Sequence, residues 1–195
     1  MRLKCCTINL MTQKEHFEII YDGPALKSNE MDVRDLAPAL LAISDVLEES
    51  NRIIYGDKTI VHVNVKGTFK TGSFGVDFSV FQGPLDGFTS LFNSDMSNAA
   101  SNLLEFLGFI VPGGLIGLIL WIKNRKIKKV TKKNENVTTI EVENEQKDVH
   151  PKIVALFSNV KVRTSIQKII SEPLSREGID TFIVKKDKKS YNSKK

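Results

Sequence analysis

The stretch that most constrains how this chain can fold is LLEFLGFIVPGGLIGLILWIKNRKIKK, residues 103–129. Here seventeen uncharged residues separate Glu105 from Lys123. As a single helix they cover about 25 Å, short against a hydrocarbon core about 30 Å thick but within reach if the bilayer thins. Three readings are open: a membrane span, a re-entrant or interfacial hairpin, and a pair of buried helices. Pro112-Gly113-Gly114 interrupts the run, and proline removes a backbone donor and crowds the preceding turn. The rival to a straight span is therefore a broken hairpin with helices over 96–111 and 115–129.

Charge favours the membrane. Up to Ile122 the chain carries 9 Lys+Arg against 14 Asp+Glu, and from Lys123 onward 19 against 9. The basic block Lys123, Arg125, Lys126, Lys128, Lys129, Lys132 and Lys133 begins where the apolar run ends. Lysines behind a tryptophan suit the cytoplasmic boundary of a bilayer. The expected lipid-facing set is Phe106, Leu107, Phe109, Ile110, Val111, Leu115, Ile116, Leu118, Ile119, Leu120, Trp121 and Ile122. Gly113 and Gly117 form a GxxxG pair, a three-letter signal for close helix packing that equally marks a flexible break. The reading places the C-terminal part in the cytoplasm and leaves the side of the N-terminal part unresolved. No continuous apolar segment precedes TQKEH, so a secretory signal is not read. Met11 offers a second start, and the adjacent Cys5 and Cys6 imply no disulfide framework.

The flanks read as α+β. HFEIIYDG is a strand, followed by a helix with an apolar stripe at Leu36, Leu40, Ile43, Leu47, Ser50 and Ile54. Asp35 is the expected cap, Pro38 sits in the first turn and Gly56 ends the helix. KTIVHVNVKG and SFGVDFSVF alternate as two strands joined through TFKTG, giving β-α-β-β. After the basic block, KIKKVTK and VTTIEVE pair as a hairpin across KNEN. PKIVALF and VKVRTSIQKII form helices, the second stopped before Pro173, and TFIVKK is a last strand, giving β-β-α-α-β. The expected division is an N-terminal domain over 1–81, a linker over 82–95, a membrane segment over 96–125, a basic domain over 126–186 and a disordered tail over 187–195.

No motif for catalysis or metal binding stands out among His16, His62 and His150, and no cofactor or small-molecule substrate is implied. His62 and Asp77 on neighbouring strands are the one pair that suggests a hydrolase, against the commoner solvated strand face. The basic block suits anionic headgroups or nucleic-acid phosphates, and no aromatic lies between Lys123 and Val149 to stack bases.

The stretch MDVRDLAPALLAISDVLEESNRIIYGDKTIVHVNVKGTFKTGSFGVDFSV, the Gly-rich apolar run and VRTSIQKIISEPLSREGIDTF together resemble an uncharacterised, prophage-associated group of bacterial proteins of unknown activity. The resemblance runs from Phe17 to Phe182 and implies a bacterial or phage origin, with no activity or functional residue to carry over. The resulting expectation is a non-enzymatic, membrane-associated protein that binds lipids and self-associates, acting as a mobile-element scaffold or membrane effector. The alternative is a soluble nucleic-acid-binding module using the basic C-terminal half.

Overall fold

A computed structural model describes residues 14–28, 30–57, 59–66, 74–84 and 98–186. The TFKTG connection, most of the 82–95 linker, the tail over 187–195 and both cysteines lie outside the described residues. Among the described residues the fold is mixed α+β, with two antiparallel sheets and five α-helices.

Four strands make the larger sheet: β1 (Glu15–Asp22), β2 (Thr59–Lys66), β3 (Phe74–Pro84) and β7 (Thr181–Lys186), in the order β2-β3-β1-β7. Phe17, Ile19, Tyr21, Phe78 and Val80 alternate onto one face and are nearly inaccessible to solvent. Period-2 alternation puts them there, and the helix α1 (Val33–Tyr55) covers them with Ala39, Ala42, Ile43, Val46 and Leu47. The α1 N-cap is Asp32, whose carboxylate accepts from the Arg34 N–H at 2.8 Å. Asp35, expected to cap, lies in the first turn and pairs with Arg176 at 2.7 Å. Gly56, at φ 75°, ends the helix as expected.

Strand β7 lies against β1, with Ile19 opposite Val184 and Tyr21 opposite Phe182. Residues expected in separate N- and C-terminal domains therefore share one sheet. Helix α5 (Val160–Leu174) packs beside α1 and continues through Pro173, past its expected stop. Pro173 has no N–H to offer the Ile169 carbonyl four residues earlier. The Tyr21 hydroxyl donates to that carbonyl instead, at 2.7 Å. Burial pushes the Tyr21 phenol pKa up, so it stays a protonated donor.

The apolar run forms two short helices, α2 (Ala99–Leu107) and α3 (Gly114–Ile122). Neither is membrane-length: nine residues rise about 14 Å, and among the described residues no helix is long and apolar enough to cross a membrane. The expected transmembrane helix and membrane location are corrected accordingly. The break includes Pro112 and Gly113 as expected, but the first helix ends earlier, at Gly108, which takes the left-handed conformation at φ 88°. Its N–H reaches the Glu105 carbonyl and the Phe109 N–H reaches Leu104, the paired bonds of a Schellman motif. Of the twelve expected lipid-facing residues, Leu107, Phe109, Leu115, Leu118 and Ile122 are buried in protein, while Phe106, Ile110, Ile116, Ile119 and Trp121 pack at core margins. Phe109 stacks on Phe17 of β1 with ring centroids 5.3 Å apart, so the sheet supplies the apolar surroundings expected of lipid. Only Val111 and Leu120 are exposed.

The smaller sheet contains β4 (Ile127–Lys132), β5 (Thr138–Val142) and β6 (Glu145–Val149), in that order. Leu118 and Ile122 of α3 join Ile140 and Val142 in a second core, with Ile153, Val154 and Phe157 of α4 (Pro151–Ser158) against it. Strand β6 was not expected, because EQKDV offers no apolar alternation to read.

Candidate functional site

The basic block becomes a turn and the outer strand β4. Helix α3 ends at Lys123, at φ 52°, and the Arg125 N–H closes a turn onto the Ile122 carbonyl at 3.0 Å. Beyond it β4 runs along the edge of the small sheet, paired only to β5 among the described residues. Ile127 is partly covered and the rest of the strand is exposed.

Its cations divide into two groups. Arg125 pairs with Glu145 at 2.9 Å, also donates to the Trp121 carbonyl, and lies over the Trp121 ring. Lys133 pairs with Asp148 at 3.0 Å, and Lys128 donates to the Glu143 carbonyl at 2.7 Å. The Arg125 hydrogen bond and charge hold the Glu145 pKa below its usual value, with lesser help from Trp121 and Lys123. The Thr139 hydroxyl, then Lys133, does the same for Asp148. These cations are therefore already engaged by carboxylates or backbone carbonyls. Lys126, Lys129 and Lys132 engage no acid at ion-pair distance among the described residues, although Glu141 stands opposite Lys129 in register. The charge of the block is legible in the sequence, but which of its cations are engaged depends on where pairing of β5 and β6 places Glu143, Glu145 and Asp148.

Trp121, expected as an interfacial anchor, is half-buried beside the small sheet. Its indole N–H donates to Glu145 at 3.1 Å, and the Lys147 ammonium lies 5.5 Å from the ring centroid. An aromatic thus adjoins the basic strand although none occurs within the block itself. Gly113 precedes α3 and Gly117 lies inside it, and a Cβ at either would meet nothing within 4 Å. The crowded glycines of this helix pair are Gly108 and Gly114, where a Cβ would come within 2.4 Å and 2.5 Å of backbone across the turn.

The His62–Asp77 pair does not form. Register sets His62 opposite Phe81, on which it stacks at 4.5 Å, and Asp77 opposite Lys66, four residues along the strand. That is on the order of 13 Å. His150 caps α4, its Nδ1 accepting from the Lys152 N–H at 3.1 Å, and its ring lies against Phe106. Desolvation first, and Lys152 second, lower its pKa. Among the described residues no three His, Cys, Asp or Glu side chains gather in a metal-holding group.

Comparison with known proteins yields no match among family models, curated proteins or solved structures.

Proposed function

We propose that the chain binds nucleic acid by holding the phosphate backbone along β4. The observation that carries this reading is the trio of Lys126, just before β4, and Lys129 and Lys132 on it, all exposed with no acid at ion-pair distance among the described residues; strand alternation sends Lys129 and Lys132 to opposite faces, so that they flank its outer edge. Six residues of strand cover about 20 Å, a length over which duplex DNA carries about twelve phosphate charges. The lysines supply the point charges. The outer edge of β4 adds backbone N–H groups, which commonly bond phosphate oxygens. Such contacts fix position on a strand without reading sequence, so the expected binding is sequence-independent.

Lysines on an edge strand also discourage sheet-to-sheet association, a purely structural use of the same residues. Fluorescence anisotropy with labelled single- and double-stranded DNA across a salt series separates the two uses. Three neutralised phosphates predict a log–log slope of about −2.7 on duplex and about −2.1 on single strand. The variant K126E/K129E/K132E should abolish binding while keeping its helical circular dichroism. Absence of binding at low salt, a flat salt response, or full affinity in the triple variant refutes the proposal. Capture of polyglutamate but of neither nucleic acid would likewise replace it with an acidic-peptide partner.

A further inference from the structure

Helices α3 and α5 each pack on α4, and a cavity of about 370 Å³ remains between them. Ile119 and Ile122 of α3, Phe157 of α4 and Ile166 of α5 form its apolar floor. Lys123, Arg163 and Gln167 stand around it, and no carboxylate lines it. Two larger cavities among the described residues differ in this respect. One, of about 540 Å³ between α1 and α5, sets Asp45, Glu48 and Glu49 against Arg52, Lys161 and Lys168, so charge is largely offset within it. The other, of about 430 Å³, has Glu48 and Asp57 beside Arg52.

One of the two cations at the smaller cavity is held in place before any ligand arrives. Arg163 donates to the Phe157 carbonyl, and its guanidinium lies over the Phe157 ring, 5.5 Å from the centroid. This ties the charge to the cavity wall. Lys123 adopts φ 52° and ψ −125°, a conformation that glycine takes readily and lysine does not. A residue kept in a disfavoured backbone region at the mouth of a cavity is a reason to ask what its side chain does there. An apolar floor with one fixed and one mobile positive charge and no carboxylate in its lining matches a ligand with a hydrocarbon body and an anionic head. Its volume lies at the lower end of the range for small-molecule sites.

We propose that this cavity binds a single-chain alkyl carboxylate, with the chain over Ile119, Ile122, Phe157 and Ile166 and the carboxylate between Lys123 and Arg163. The inference is independent of the reading of β4, since it uses none of Lys126, Lys129 or Lys132. The preorganised Arg163 favours the anion because little of its side-chain freedom is lost on binding.

Isothermal titration of the full chain with decanoate, below its aggregation concentration, provides the test, with decyltrimethylammonium as the matched cation. Gln167 is exposed on α5, so Q167E adds a carboxylate to the rim without disturbing the core. K123G removes one charge and relieves the backbone. The expected result is saturable one-to-one binding of decanoate, no saturable binding of the cation, and at least tenfold weaker decanoate binding in each variant. K123G should meanwhile unfold no more readily than the parent, which separates lost binding from lost folding. Absence of saturable binding, equal binding of the cation, or decanoate affinity within twofold of the parent in either variant overturns the proposal.

Discussion

Replacing Tyr21 with phenylalanine removes one oxygen and tests how the two ends of the chain are joined. The hydroxyl donates to the Ile169 carbonyl at 2.7 Å, inside the core, with Ile169 itself fully buried. That carbonyl needs an external donor because Pro173 stands where the helix would have supplied an N–H. Y21F leaves it without a partner, and an orphaned buried acceptor costs about 1–3 kcal/mol. For a chain of this size, about 2 kcal/mol corresponds to roughly 4–8 °C in Tm. The second step isolates the cause. P173A restores a backbone N–H at that position, so Y21F in the P173A background should cost at least about 1 kcal/mol less than in the parent. Urea denaturation of the four proteins, compared at constant m-value, gives this coupling directly. Equal costs of Y21F in the two backgrounds would refute the reasoning, and a neutral Y21F in the parent would do so more simply.

Three further outcomes follow from the geometry. G114A should destabilise by more than about 2 kcal/mol, since it combines a left-handed backbone with a Cβ 2.5 Å from the Gly108 nitrogen. G117A, whose Cβ meets nothing within 4 Å, should be neutral or stabilise by up to about 1 kcal/mol, and thermal melts of the pair distinguish the two glycines. The lowered pKa of His150 means the unfolded chain binds its proton more readily. Stability should therefore fall as pH drops below about 6.5, with the loss complete below the lowered folded pKa. H150N keeps a capping acceptor without the titration, so its stability relative to the parent should rise over the same window in chemical denaturation. K129E alone should reduce the duplex salt slope by about 0.9, measured by the same anisotropy series.

Elements whose signal is local were legible in the sequence. The alternating Phe17, Ile19, Tyr21 and the stripe through Ile43 and Leu47 announce β1 and α1 without reference to anything distant. The apolar run is ambiguous in sequence because its residue types suit either a bilayer or a protein core. What decides between them is Phe17, some ninety residues away in sequence, stacking on Phe109. The end of α2 lay in view at Gly108, yet Pro112-Gly113-Gly114 is the louder signal, and only backbone geometry shows that the break already opens at Gly108 and extends to Gly113. Strand β6 was hidden for the opposite reason: its polar residues line a sheet margin, so pairing rather than burial creates it. For the candidate site, charge was readable but its neutralisation by Glu145 and Asp148 was not. Pro173 reads as a helix stop, because the tyrosine that compensates for it lies 148 residues along the chain from the Ile169 carbonyl it serves.

The pairing of β7 with β1 also sets a timetable. About 160 residues separate the end of β1 from the start of β7, and a ribosome adding about 5–20 residues per second needs roughly 8–32 s to make them. Throughout that interval one long side of β1 has no neighbour, and its backbone groups form a template for strands of other chains. The nascent protein is thus most open to cross-pairing late in translation, when nearly all of its core residues already exist, and the six residues of β7 end that exposure.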